Sequence, residues 1–319
     1  MIKPQFFLCL SLLLLSGCSG REDQVSQSDI PKPALETLTT LLGEPLPEKV
    51  FADSTVRIEF ERKLAEAKAD LDQSPDSIGL LIWYGRRLAY LGRHEEAIDV
   101  YSQGIMKYPE EYRFLRHRGH RYITTRQIDR AVTDLEKAVT LSMNKPNAIE
   151  PDGLPNALNI PLGNDKFTIW YHFGLSHYLK GRYDRALEAY LQCMTFSDND
   201  DLKAAASYWL YMSAVKSGSN TIAERTLQEI STSWEMIENE AYMDLLLLFK
   251  GILSQEAILI KATAPDGTLN PTYAYGIGFH YLKTGQPEAA YDIFQRALDG
   301  PNWESFGYIA SEAEVLRKP

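Results

Sequence analysis

The chain has 319 residues and a formal net charge of -10, from 33 Lys and Arg against 43 Asp and Glu. That balance opposes a nucleic-acid backbone, and three cysteines are too few for a disulfide framework. Beyond a polar N-terminal stretch, the remaining length exceeds a usual single core and leaves two domains or a repeat array.

In chain order, Met1 to Gln5 carries one Lys and no acid and precedes the apolar run Phe6 to Leu15, which is too short to span a membrane permanently. Residues 1–17 read as a signal peptide. Its end, Leu15-Ser16-Gly17-Cys18, resembles the lipobox of bacterial lipoproteins. That resemblance implies lipidation of Cys18 and anchoring in a bilayer, where each buried methylene contributes about 0.8 kcal/mol. Ser19 at the next position resembles the outer-membrane signal of Gram-negative lipoproteins, so a cell-envelope protein is expected, with its periplasmic or surface face left open. Cys9 leaves with the signal and Cys18 is acylated, so Cys193 is expected to form no disulfide. Residues 18–52 are expected to be a flexible tether, polar and punctuated by Pro31, Pro33, Pro45 and Pro47, with one short apolar segment, Ala34 to Leu42, able to dock.

From residue 53 onward the chain is self-similar at a shift of 34 residues. The columns read Gly85, Ala97, Tyr101, Gly104, then Gly119, Ala131, Leu135, Ala138. After an insertion they read Trp170, Gly174, Gly181, Ala186, Tyr190, Cys193. Gly218, Ala223, Leu227, Ile230 follow, then a degenerate unit with only Ala257, and finally Gly278, Tyr281, Gly285, Ala290, Phe294, Ala297. Small residues at these columns let two antiparallel helices approach, while large apolar neighbours fill the grooves between units. Period and columns resemble the tetratricopeptide repeat. The expected fold is therefore all-α, a superhelical solenoid over 53–319 with repeats near 78–111, 112–145, 167–200, 204–237, 238–270 and 271–304 and an insertion at 143–166. A helix at Ser54 to Leu71 is expected to start the stack. One with Phe306, Ile309, Ala313 and Leu316 on a single face is expected to cover the last repeat.

The resemblance implies a concave groove, lined by the first helix of each repeat, that takes up a protein or peptide. Its columns select Ile82, Arg86, Tyr90, Arg113, Arg116, His120 and Thr124 in the first two repeats. Guanidinium forks there suit a carboxylate. The competing reading is a solvated face paired with Glu95, Glu96, Glu110 and Glu111. Later repeats give Tyr171, Leu175, Tyr178, Leu179, Tyr208, Met212, Tyr275 and Phe279, either an aromatic groove for a protein partner or rings packed under the insertion. Pro146, Pro151, Pro155 and Pro161 keep that insertion from being helical. Ile149, Leu154, Leu158 and Ile160 are costly to leave in water, so it is expected to lie on the concave surface and shape or occlude it.

Catalytic patterns are missing from the sequence. His117 and His120 share a face without a third ligand, His172 and His177 do not share one, and Cys193 sits in a packing column. No catalytic residue, metal or cofactor is expected. The functional expectation is a membrane-anchored adaptor in the cell envelope that binds a protein or peptide partner and no nucleic acid, with self-association left open. The alternative is a structural subunit of a larger envelope or secretion assembly.

Overall fold

The computed structural model describes residues 38–51 and 53–319; the signal-peptide and Cys18 expectations lie outside them. Among the described residues the secondary structure is fourteen α-helices with isolated β-bridges only. The opening helix is α1 (Ser54–Gln73). Six helix pairs follow: α2 (Ile78–Tyr90) with α3 (His94–Lys107), α4 (Tyr112–Thr124) with α5 (Ile128–Ser142), α6 (Asp165–Leu179) with α7 (Tyr183–Met194), α8 (Asp200–Lys216) with α9 (Asn220–Glu229), α10 (Glu240–Phe249) with α11 (Gln255–Ala262), and α12 (Pro271–Lys283) with α13 (Pro287–Leu298). The last helix is α14 (Phe306–Leu316).

Local signals place the starts. Asp53, Ser77, Asn164, Asn199, Ser254, Asn270 and Ser305 each accept a backbone N–H of the following first turn through the side chain. Between paired helices the chain reverses through a left-handed residue, glycine at Gly92, Gly181, Gly218, Gly251 and Gly285. At the same column of the α4–α5 pair stands Arg126, with φ 61°.

Pairing itself rests on missing side-chain volume. A Cβ on Gly85 would lie 2.4 Å from Tyr101, one on Gly119 2.8 Å from Leu135, one on Gly174 2.8 Å from Tyr190 and one on Gly278 2.2 Å from Phe294. The filler stands sixteen residues after the glycine each time, so one packing rule repeats along the array.

First helices of successive pairs also pack on one another, α2 on α4, α4 on α6, α6 on α8, α8 on α10 and α10 on α12, and so form the inner wall. Helix α14 lies across that wall. It packs on α12, α13 and α6, and the backbone approach is so close that a Cβ on Gly307 would sit 2.2 Å from the carbonyl oxygen of Pro271. This corrects the expected end cap: α14 reaches far beyond the last repeat, and Leu316, expected on its buried face, is exposed.

The tether is also corrected in part. Residues 38–46 form a tight turn, with Leu46 N–H donating to Leu38 O at 2.8 Å, and Leu41 N–H donates to Glu312 of α14 at 3.1 Å. Lys49 pairs with Glu304. Pro45 and Pro47 are compatible with this docked, extended path, and Leu41, in the segment expected to be able to dock, makes the contact with α14.

Candidate functional site

Helices α2, α4 and α6 direct their charged side chains toward one region of the inner wall. Arg86 comes from α2, Arg116, His117, His120 and Arg121 from α4, and His172 from α6. The insertion loop supplies the counter-charge. Arg116 Nη2 lies 2.8 Å from Glu150 Oε2 and Arg86 Nη1 lies 3.9 Å from Glu150 Oε1, with Arg86, Arg116 and Glu150 side chains all near 11–12% exposed. Thr168 of α6 donates to the same carboxylate at 2.9 Å. One acid thus meets groups from three consecutive first helices.

The loop backbone is held by the same wall. Arg86 Nη1 donates to Pro151 O at 2.8 Å and Arg87 Nη1 to Gly153 O at 3.1 Å. Tyr90 lies directly under Gly153, where a Cβ would stand 1.6 Å from its hydroxyl oxygen. Farther along, Asn156 donates to Glu238 at 2.8 Å and Asn199 to Leu162 O at 2.9 Å. The insertion therefore covers the inner wall, but by a different means from the one expected. Ile149, Leu154, Leu158 and Ile160 point to solvent at 47–69% exposure, and the attachment is made by backbone carbonyls and Glu150.

Electrostatics in this region are one-sided. Burial first, then Arg116 and Arg86, hold the His117 imidazole well below its ordinary value. Burial with Arg121 does the same for His120, and burial with Arg116 for His172. His120 and His172 face each other at 4.3 Å between ring centroids, under Phe306 of α14. These are neutral packing histidines. Among the described residues no three His, Cys, Asp or Glu gather as a metal site.

Arg113 goes elsewhere. It is 41% exposed and forks onto Glu111 at 2.7 Å, the solvated arrangement that the sequence left as the competing reading. The expected tyrosines are not at an open surface either. Tyr171, Tyr178 and Tyr208 are 6%, 1% and 1% exposed. Trp209 Nε1 donates to the Tyr171 hydroxyl at 2.8 Å, and the Tyr178 and Tyr275 hydroxyls lie 2.6 Å apart. Two helices are the physical reason: Tyr208 packs on Tyr242 and Phe249 of α10, and the Tyr171 hydroxyl lies 3.0 Å from that of Tyr242, while Tyr275 donates to Glu314 of α14 at 3.2 Å, Lys216 of α8 pairs with Glu314 at 2.9 Å, and Arg317 donates to Leu179 O of α6. The aromatic half of the wall is filled by α10 and α14.

Sequence reasoning missed the residue that fixes this arrangement. Arg126 is 3% exposed, forks onto Glu312 of α14 at 2.8 and 3.0 Å, and donates to Trp303 O at 2.8 Å. Its signal was present: the left-handed column reads glycine in the other pairs and arginine here.

Residues 167–200, which hold α6 and α7, match the tetratricopeptide repeat family. The match covers one helix pair of the array in this chain. Its solenoid is similar to that of a tetratricopeptide repeat protein from Parabacteroides merdae, at 14% identity over 82% of this chain and 94% of that one, with a TM-score of 0.48. It is also similar to YrrB, a tetratricopeptide-repeat protein with an unusual peptide-binding site, at 14% identity over 78% and 97% of the two chains and a TM-score of 0.41. A third similar structure is a double mutant of MamA, at 15% identity over 70% and 94% of the two chains, with a TM-score of 0.40. No curated protein matches the sequence. In this helical array both halves of the inner wall are occupied from within.

Proposed function

We propose that this protein is a membrane-anchored adaptor of the bacterial cell envelope, held at the outer membrane by lipid on Cys18, and that its inner wall binds a protein or peptide partner while catalysing nothing itself. The observation that carries the reading is the convergence of Arg86 and Arg116 on one carboxylate, Glu150, against the inner wall of a repeat array. A wall built to hold a carboxylate in a dry, multi-helix setting suits recognition of an acidic segment, since forked guanidiniums add geometric specificity to charge. Of the residues selected from sequence, Arg86, Tyr90, Arg116 and His120 stay in this role; Arg113, Tyr171, Tyr178 and Tyr208 leave it. The Leu15-Ser16-Gly17-Cys18 sequence supports the anchor, and among the described residues no helix is long and apolar enough to cross a membrane.

The test is in-cell crosslinking of the full chain beside a double variant, Arg86→Ala with Arg116→Ala, and beside Cys18→Ala. Partners absent only from the double variant, and membrane attachment absent only from Cys18→Ala, are expected. Partners retained in all three would remove the wall from recognition.

A second reading, a structural subunit of a larger envelope assembly, is favoured by the four exposed apolar side chains of the insertion. Self-crosslinks alone, or one partner retained stoichiometrically through purification, would select it.

A further inference from the structure

We propose that Glu150 is a tethered stand-in for an acidic side chain of the partner, so that the insertion loop keeps the cationic part of the inner wall closed until an extended segment bearing Glu or Asp takes its place. This rests on the adaptor reading and adds to it how the wall opens and what it recognises.

Three observations combine. The first is the manner of holding: Glu150 sits in extended chain, bridged at Ile149 to Asn164, and its carboxylate meets Arg86, Arg116 and Thr168 from three separate helices, as a bound peptide's side chain would. The second is donor capacity that Glu150 does not use. Among the described residues Arg121 meets no carboxylate within 4 Å and its one side-chain hydrogen bond is with His94 Nδ1, at 3.5 Å, while Arg116 Nε is buried with no partner. Two guanidiniums therefore share a single acid, with Arg121 one turn on from Arg116 and unpaired by it, and a segment with a second carboxylate or carbonyl finds donors waiting.

The third is how little apolar surface holds the loop down. Its attachments are polar, among them Arg86 to Pro151 O, Arg87 to Gly153 O, Glu150 itself, Asn156 to Glu238 and Asn199 to Leu162 O, whereas Ile149, Leu154, Leu158 and Ile160 already face water. A loop serving only as a brace would bury those four side chains. Lifting this one exchanges polar contacts for the same polar contacts made by a ligand, which is the condition for an easy swap.

Two substitutions open the loop by different routes. Gly153→Val drives a side chain into Tyr90, and Glu150→Gln removes the charge while keeping the shape. In each, thermolysin cleavage before Leu158 should rise at least tenfold over the wild-type full chain. The binding probe is a fluorophore-labelled synthetic peptide of residues 146–163, followed by anisotropy. It should bind the opened variants at least tenfold more tightly than wild type, and the same peptide with Gln for Glu150 should lose that gain. Arg116→Ala added to Gly153→Val should abolish it.

Opened loops with no gain in peptide binding, equal binding of the Gln peptide, or no rise in cleavage in either variant would each overturn the proposal. Partners crosslinked equally by wild type and Gly153→Val would remove the clasp and leave the adaptor. Peptide binding as described, with no cellular partner found, would do the reverse.

Discussion

Arg126 shows how a single residue can be kept in an unfavourable conformation by what its side chain reaches. An L-residue in the left-handed region costs about 1–2 kcal/mol, which glycine avoids in the neighbouring pairs. Against this stands the fully buried pair with Glu312, where removing one partner costs about 3–5 kcal/mol because the other charge is left uncompensated. The second effect is larger. Arg126→Gly should therefore lower stability by about 1–4 kcal/mol even though it relieves backbone strain, read as a lower urea midpoint. An unchanged or higher midpoint would mean that α14 holds without the pair. Gly278→Ala tests the packing column: with Phe294 2.2 Å from the new Cβ, a loss of about 1–3 kcal/mol is expected by the same measurement.

At the scale of elements, helices differ sharply in what keeps them folded. Only Leu71 of the twenty residues of α1 is buried, and its surface is laced by Arg57–Glu61, Arg62–Glu59, Arg62–Glu66 and Lys68–Asp72. Such exposed pairs contribute little and weaken with salt. Helix α8 instead buries thirteen of its seventeen residues. Amides of α1 should exchange with deuterium well before those of α8, and the gap should widen in 1 M salt; equal protection would contradict this account. The same contrast explains what could be read from sequence. Helix pairs were legible because each small residue answers to a bulky one sixteen positions on, a short-range rule. Whether Tyr178 or Arg116 would face solvent was not, because α14 and the insertion decide it through contacts such as Arg86 to Pro151 and Arg126 to Glu312, 65 and 186 residues apart. Only the arginine in a glycine column announced such a contact.

For the whole molecule, the six histidines act together. Burial holds His94 and His177 at about 4, and His117, His120, His172 and His280 are also held below 6.5. Each is neutral in the fold, while the unfolded chain binds protons near pH 6.5. Their contribution is complete above that pH and is lost as pH falls from 6.5 toward 4, with a slope of about 1.4 kcal/mol per pH unit for each group inside its window. A urea midpoint at pH 5 far below that at pH 7 is expected, and an equal one would show the histidines to be accessible.

Repeat arrays ordinarily grow from any point, each unit leaning only on its neighbours. Here Leu41 binds Glu312 across 271 residues of sequence. During synthesis the turn of residues 38–46 must wait for Glu312 to leave the ribosome before its docking site exists. The nascent chain can stack its helices early, yet it cannot be locked until Glu312 has emerged, so a product truncated before Glu312 would carry all six helix pairs and still lack the latch.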